Sequence, residues 1–288
     1  MTLPALPLSF LDLSPVGEDR AAEEAVAATL DLARAVDELG FTRYWLAEHH
    51  GMPGIASSAP AVLIGAVAGA TQRIRVGSGG VMLPNHPPLV VAEQFGTLAA
   101  LHPGRIDLGL GRAPGTDPTT AAALRRSVDP LSADDFPQQL MDLVAYLDGG
   151  SNGSVRAVPT ATQRPPVWLL GSSGYSAQLA GMLGLPFAFA HHFSPDNTLP
   201  ALDLYRRSFA PSDVLYAPYA MVAAQVLCGE TDEDAEILAQ PSLLSWVRLR
   251  QGRPGPLPSP RTCDDHEWTD LELAIVAERI RGQALGGP

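Results

Sequence analysis

Two short stretches concentrate proton-active side chains. Glu48, His49 and His50 stand together in YWLAEHHGMPGIASSAP, residues 44–60, where an apolar run gives way to a Gly/Pro-rich loop. His191 and His192 follow a second apolar run, FAFA, at 187–190. Imidazole titrates near neutrality, so such groups can hold or pass a proton, or ligate a metal. Asp12 lies near the end of a third apolar segment, LSFLDL, either as a cap for the next loop or as a polar group in a pocket. Spacing argues against a metal centre. Adjacent histidines on a strand point to opposite faces, and no His-X-His is present to put two rings on one side.

A different chemistry is written into LGSSGYS, residues 170–176. Gly171, Ser172, Ser173 and Ser176 fall between a predicted strand and its helix. Hydroxyls and free backbone N–H groups at the positive end of a helix make a phosphate site. Ordinary N-capping by Ser173 or Ser176 is the plainer alternative, and it needs only one hydroxyl. Gly109, Gly111 and Arg112 end another predicted strand. The glycines leave one strand face bare, so a planar ligand or another backbone can approach. Arg112 suits a phosphate, whereas Arg105 with Glu93 or Asp107 reads as a structural ion pair. A phosphate site, a bare strand face and strand-end histidines together point to a phosphorylated planar cofactor, which flavin mononucleotide (FMN) fits better than a sugar phosphate.

The elements that must position these groups alternate. Hydrophobic spacing predicts strands at 8–13, 41–47, 73–77, 105–111, 167–170, 187–190 and 219–227. Helices are predicted at 20–39, 59–70, 89–101, 119–126, 134–147, 176–183, 199–209, 268–281 and from 232 to 238, with a break at Pro130. Residues 149–165 and 242–260 read as surface excursions of a single domain. Strict alternation means a parallel sheet with helical crossovers. A doubly wound dinucleotide fold wants GxGxxG after its first strand, and GLGRAPG at 109–115 has the wrong spacing and the wrong place. Chemistry spread over many strand ends favours a (β/α)8 barrel.

Composition excludes several partners. The net charge is −12 with no basic stripe, which argues against nucleic acid and anionic membrane surfaces. The longest apolar run, 59–70, is too short to span a bilayer. The N-terminal stretch lacks the pattern of a signal peptide, and two cysteines 35 positions apart, Cys228 and Cys263, form neither a disulfide framework nor a zinc motif. A cytoplasmic protein is expected.

Several segments resemble the bacterial luciferase-like flavin-dependent monooxygenases: YWLAEHH at 44–50, IRVGSGGVMLP at 74–84, VAEQFGTLAAL at 91–101, GRIDLGLGRAPG at 104–115, WLLGSS at 168–173 and FAFAHHF at 187–193. The resemblance implies a (β/α)8 TIM barrel. It places His49 at a catalytic position near flavin C4a, and Ser78-Gly79 beneath the isoalloxazine. Arg112 with Ser172, Ser173 and Ser176 falls where the phosphate is held, leaving Asp12, Glu48, His50, His191 and His192 around the pocket. It further implies reduced FMN from a separate, transient flavin reductase, reaction with O2 to a C4a-(hydro)peroxyflavin, a small-molecule substrate and a possible homodimer. Alternatives on the same barrel are an F420-dependent oxidoreductase and a non-catalytic flavin-binding relative; a metal-dependent hydrolase is the remaining one. Family members continue past the Gly286-Gly287-Pro288 end with a further helix, strand and closing helix, so the last β/α unit is expected to be missing.

Overall fold

The computed structural model describes residues 6–113, 115–125, 135–151 and 154–287. The predicted break at Pro130 lies outside them. The chain parts into two compact units. The first comprises Met1–Ser14, Val26–Gly51 and Ser57–Leu170; the second comprises Pro15–Ala25, Met52–Ala56 and Gly171–Pro288.

In the first unit, β1 (Ser9–Asp12), α1 (Ala22–Glu38), β2 (Arg43–Leu46), α2 (Pro60–Ala70) and β3 (Arg75–Ser78) alternate as predicted. A short β4 (Val81–Met82) precedes α3 (Pro88–Leu101), β5 (Ile106–Gly111), α4 (Pro118–Arg125), α5 (Phe136–Leu147) and β6 (Val167–Gly171). The strands β1, β2, β3, β5 and β6 pair in that order, all parallel, and β4 adds to β5. Register fixes the functional edge. Asp12 pairs with Leu46 and Leu46 with Ser78, so three strands end in one row and the segments after them leave from the same rim. Parallel strands covered on both faces are apolar throughout. Tyr44, Leu46, Val76, Leu108, Leu110 and Trp168 are accordingly buried, with Ile64 of α2 and Phe95 of α3 packed among the core. Each such side chain contributes roughly 1.5–3 kcal/mol by leaving water.

Two charges, Asp107 buried and Arg105 half-buried, brace this unit. Asp107 accepts from Arg43 (3.1 Å), Arg75 (2.6 Å) and the Trp45 indole (3.2 Å). Arg105 therefore does not pair with it as expected. Its guanidinium instead caps the end of α2, donating to the carbonyls of Ala68 and Thr71, each at 3.0 Å, and to Thr71 Oγ1 at 2.6 Å. Those are carbonyls a helix leaves unsatisfied at its C-terminus.

The second unit contains α6 (Gly174–Met182), β7 (Phe187–Ala190), α7 (Thr198–Ser208), β8 (Ala220–Ala223), β9 (Gln225–Cys228), α8 (Asp232–Arg250), α9 (Pro260–Asp264), α10 (Asp270–Ile280) and β10 (Gln283–Gly286). β7 pairs with β8, and β9 with β10, both parallel. Three features depart from expectation. The predicted strand 219–227 is two strands. The excursion expected at 242–260 begins in helix, because α8 runs through Pro241 to Arg250. A proline there loses one intrahelical bond, but a Thr231–Asp234 capping box and buried Ala235, Ala239, Leu243, Leu244 and Val247 hold the helix on both sides of it. Finally, 283–286 is a strand the hydrophobic pattern did not register, tied to β9 by a Gln283–Gln225 side-chain bond of 2.7 Å.

Candidate active site

The Glu48-His49-His50 triplet leaves the rim just after β2. Glu48 is fully buried. Its Oε1 accepts from His50 Nε2 (2.8 Å) and from His86 Nε2 (2.7 Å), while Oε2 accepts the Met82 backbone N–H (3.1 Å). Burial pushes this carboxyl up, but the His86 hydrogen bond and charge, then His50 and Met82, pull it net below the usual range. An ionised carboxylate only accepts, so both imidazoles present Nε2–H to it and keep the Nδ1 lone pair. His86, in the loop after β4, was not among the expected site residues.

Glu48, His50 and His86 also bring their ligand atoms within 4.8 Å of one another, a His2Glu set of the kind zinc accepts. Spacing rules for strand histidines missed it, because the set joins residues two apart in a loop to a third from elsewhere. Here the three atoms are bonded to each other.

His49 turns away from this cluster. Its Nδ1 lies 3.0 Å from the Gly115 carbonyl. A carbonyl accepts only, so the proton sits on Nδ1 and Nε2 carries the lone pair. The segment after β5 closes on the triplet in a second way, as Thr116 Oγ1 donates to the His50 carbonyl at 2.6 Å. The His49 backbone N–H bonds the Ser57 carbonyl (3.2 Å). Ser57 Oγ is buried with no hydrogen-bond partner among the described residues.

The glycines at the strand ends serve close backbone approach. A Cβ on Gly109 would stand 2.1 Å from the Ser78 carbonyl oxygen, and one on Gly111 would stand 2.9 Å from Met82 Sδ. Ser78 spends its hydroxyl on β5, donating to the Gly109 carbonyl (2.8 Å) and accepting the Gly109 N–H (3.0 Å). The next peptide, Gly79–Gly80, is cis. A Cβ on Gly79 would meet Leu11 Cδ1 at 2.6 Å, and one on Gly80 the Gly109 carbonyl at 2.8 Å. Arg112 follows β5, half-buried.

Asp12 is engaged by its neighbours. Buried, it accepts the Ser14 N–H (2.8 Å), the Thr29 hydroxyl (2.7 Å) and the Tyr44 hydroxyl (2.7 Å), which uses both oxygens. Of the two readings open for it, the loop cap is the one seen. Burial and the Asp12 charge together push the Tyr44 phenol far up, so it stays a donor.

In the second unit, Ser173 is the N-cap residue of α6, yet its hydroxyl makes no capping bond. The Ser172 and Ser173 hydroxyls stand beside the N-terminus of that helix. Gly171 is required by Ser176, whose Oγ would be 2.6 Å from a Cβ there. His191 Nδ1 contacts Thr198 Oγ1 (2.8 Å), and His192 Nδ1 donates to the Ala223 carbonyl (3.0 Å). Burial, then Arg279 and His191, lower the His192 pKa against the pull of that carbonyl. Its ring is an anchor to β8.

Residues 7–282 match the family model described as luciferase-like monooxygenase. YvbT of Bacillus subtilis (strain 168) is 55% identical over 283 residues, 98% of this chain and 84% of that protein. A luciferase-like monooxygenase of Escherichia coli (strain K12) is 52% identical over 287 residues, covering 99% and 85%. The crystal structure of apo-MsnO8 superposes with a TM-score of 0.90 at 38% identity, covering 99% of this chain and 86% of that one. Parallel strands alternating with helices, in a fold shared at that score, place the chain in the (β/α)8 TIM-barrel class expected from its sequence.

Proposed function

Since this chain belongs to the luciferase-like monooxygenase family, we propose that it is an FMN-dependent oxygenase of a small organic molecule in which His49 handles the proton. The observation that carries this is the His49 ring: Nδ1–H is committed to the Gly115 carbonyl, so the basic Nε2 is the free one. Bound reduced FMN would supply the electrons with which O2 is activated. The residues present fit such a group. In the second unit, Ser172, Ser173, Ser176 and the uncapped start of α6 offer phosphate donors, with Gly171 making room for Ser176. In the first, Arg112 adds a cation, and the Ser78–Gly79 and Gly109–Gly111 backbones offer surfaces without side chains. The orphaned Ser57 hydroxyl is a further donor on the segment bonded to His49.

Each protein group then has a task. Glu48 orients His50 and His86; His49 takes or returns a proton at Nε2; the 115–116 segment packs against the triplet, a position suited to excluding water. His191 stays a pocket residue in this scheme, and His192 supports it. A separate reductase would deliver the flavin, in the cytoplasm. The small-residue helix α2, with Val62 exposed, is a surface a homodimer can use.

More distant structures of this fold hold either flavin. The oxygenating constituent of 3,6-diketocamphane monooxygenase, a type II Baeyer-Villiger enzyme in complex with FMN, is 18% identical (TM-score 0.70, covering 99% and 85%). An F420-dependent secondary alcohol dehydrogenase with an F420-acetone adduct is 14% identical (TM-score 0.68, covering 97% and 85%). Titration of the purified chain with FMN and with F420, followed by absorbance, separates the two. The decisive variant is His49→Ala. It should retain FMN affinity while losing about 100-fold or more of product formation in a reductase-coupled assay, the size of a general acid–base contribution. Undiminished product yield would refute the role of His49.

A further inference from the structure

The second unit holds a cleft of about 410 Å³ that the chemistry above leaves unused. Its lining includes Leu244, Arg248, Gln251, Arg253, His266 and Glu272, from the end of α8 to the start of α10. We propose that it binds the carboxylate of a small organic acid, a reading that does not depend on the oxygenase one.

The argument is a count of hydrogen-bonding capacity. Each acceptor side chain in the lining is engaged. Glu272 takes the Thr269 N–H and hydroxyl on Oε2, each at 3.1 Å, and the Gln251 amide on Oε1 at 3.1 Å. Gln251 Oε1 accepts from Arg253 Nη2. The last carbonyls of α8, on Val247, Arg248 and Leu249, receive the backbone N–H groups of Gln251, Arg253 and Gly252. Donors remain. Arg248 commits only Nη1, to Glu18 at 2.9 Å. Arg253 has no carboxylate within ion-pair distance among the described residues. His266 Nε2 is buried and outside hydrogen-bond geometry, although Glu272 Oε2 lies 3.3 Å away. Two guanidinium groups, each keeping uncommitted N–H donors, against the single carboxylate of Glu272 leave the lining net positive and rich in donors, which selects an anion, and the planar guanidinium matches a carboxylate. Leu244 gives the cleft an apolar side, which favours an organic acid over a bare inorganic ion.

The wall of the cleft is braced within its own unit. Gly255, which completes its lining, packs on Gly54, where a Cβ would stand 2.5 Å from the Gly255 carbonyl oxygen. Leu257 N–H bonds the Val16 carbonyl at 2.7 Å, and Glu18 N–H the Leu257 carbonyl at 3.0 Å.

The test is calorimetric titration of the whole chain with butyrate, with its neutral isostere butyramide and with inorganic phosphate, repeated with FMN present. Butyrate should bind saturably and butyramide about tenfold or more weakly, the factor expected for a hydrogen bond to a charged group. Arg253→Ala should weaken butyrate by a similar factor and leave butyramide unchanged. Arg253 is exposed, so the variant should keep its melting temperature; Arg253→Lys, which retains charge without the fork, should fall between. Equal binding of butyrate and butyramide would overturn the proposal, as would an unaltered Arg253→Ala or phosphate binding tighter than butyrate. Displacement of butyrate by FMN would also overturn it, by assigning the cleft to the cofactor. If butyrate binds and FMN does not bind at all, the anion site stands and the flavin reading falls.

Discussion

Replacing Glu48 by Gln keeps the shape and removes the charge. Three donors converge on this buried side chain, at 2.7, 2.8 and 3.1 Å. A glutamine has one acceptor oxygen where the carboxylate has two. With its oxygen toward the imidazoles, its NH2 meets the Met82 N–H. Turned over, its NH2 meets both Nε2 atoms, and both rings must move their protons to Nδ1. The first arrangement leaves the Met82 N–H without its acceptor, the second forces both rings into the other tautomer, and in both the remaining bonds lose charge assistance. We expect destabilisation of about 2–3 kcal/mol at pH 7, or roughly 3–5 °C in melting temperature for a chain of this size. The pH dependence follows from the depressed Glu48 pKa. A carboxyl held below its ordinary value of 4.5 contributes stability that is fully present above that value and is lost as pH falls through the folded one. The gap between wild type and Glu48→Gln should therefore be widest from pH 5 upward and shrink on acidification below 4.5. Differential scanning fluorimetry of both proteins across pH 3–8 measures it. Superimposable melting curves at pH 7, or a gap that persists unchanged to the lowest pH, would refute the account of Glu48 as the charged centre of this cluster.

Three further outcomes follow from the geometry. Gly109→Ala places a Cβ 2.1 Å from the Ser78 carbonyl oxygen, so the β3–β5 pairing must yield; we expect a loss of about 1–3 kcal/mol or insoluble protein, and wild-type stability in a denaturant melt would contradict that. Arg105→Met strips the cap from α2 and leaves the Ala68 and Thr71 carbonyls unpaired, which should cost about 2 kcal/mol. Hydrogen exchange should then speed up at the C-terminal turn of α2 first, and uniform exchange would speak against a local cap. Because the Glu48, His50 and His86 atoms are satisfied by one another, dialysis against a chelator should leave the melting temperature and the flavin titration unchanged; a drop restored by zinc would mean that the trio is a metal centre.

How much of this was legible beforehand depended on sequence distance. The end of β2 could be read from the apolar run stopping at Ala47, and with it the placement of Glu48 at the rim. Asp12 could not be resolved, because the groups that claim it, Thr29 and Tyr44, lie 17 and 32 residues away. Gly109 and Gly111 were legible as a bare strand face, but what fills that face is the Ser78 carbonyl and Met82, set by the register of neighbouring strands. The start of α8 was legible, but its continuation through Pro241 to Arg250 was not, because it rests on an apolar stripe on both sides of the proline. The strand 283–286 was missed because QALG has neither alternation nor length, and it is held by pairing with β9.

The histidines show why residue type alone stops short of mechanism. His49 and His50 are identical in chemistry and adjacent in sequence, and one hydrogen bond apiece makes them different. A carbonyl on Nδ1 frees Nε2 of His49, while a buried carboxylate on Nε2 frees Nδ1 of His50 and, through the same oxygen, of His86. His49 is therefore the ring that leaves Nε2 open to exchange a proton, whereas the Nε2 atoms of His50 and His86 are held by Glu48. Swapping Gly115 for a residue that displaces its carbonyl should thus impair His49 without touching the ring itself. A Cβ there meets Met82 Cγ at 3.0 Å and the Glu48 carbonyl at 3.1 Å, on a backbone with φ of +65°. Gly115→Ala should accordingly lower product formation while sparing flavin affinity, the same signature as His49→Ala. A Gly115→Ala enzyme with full turnover would mean that the tautomer of His49 is set by something other than this carbonyl.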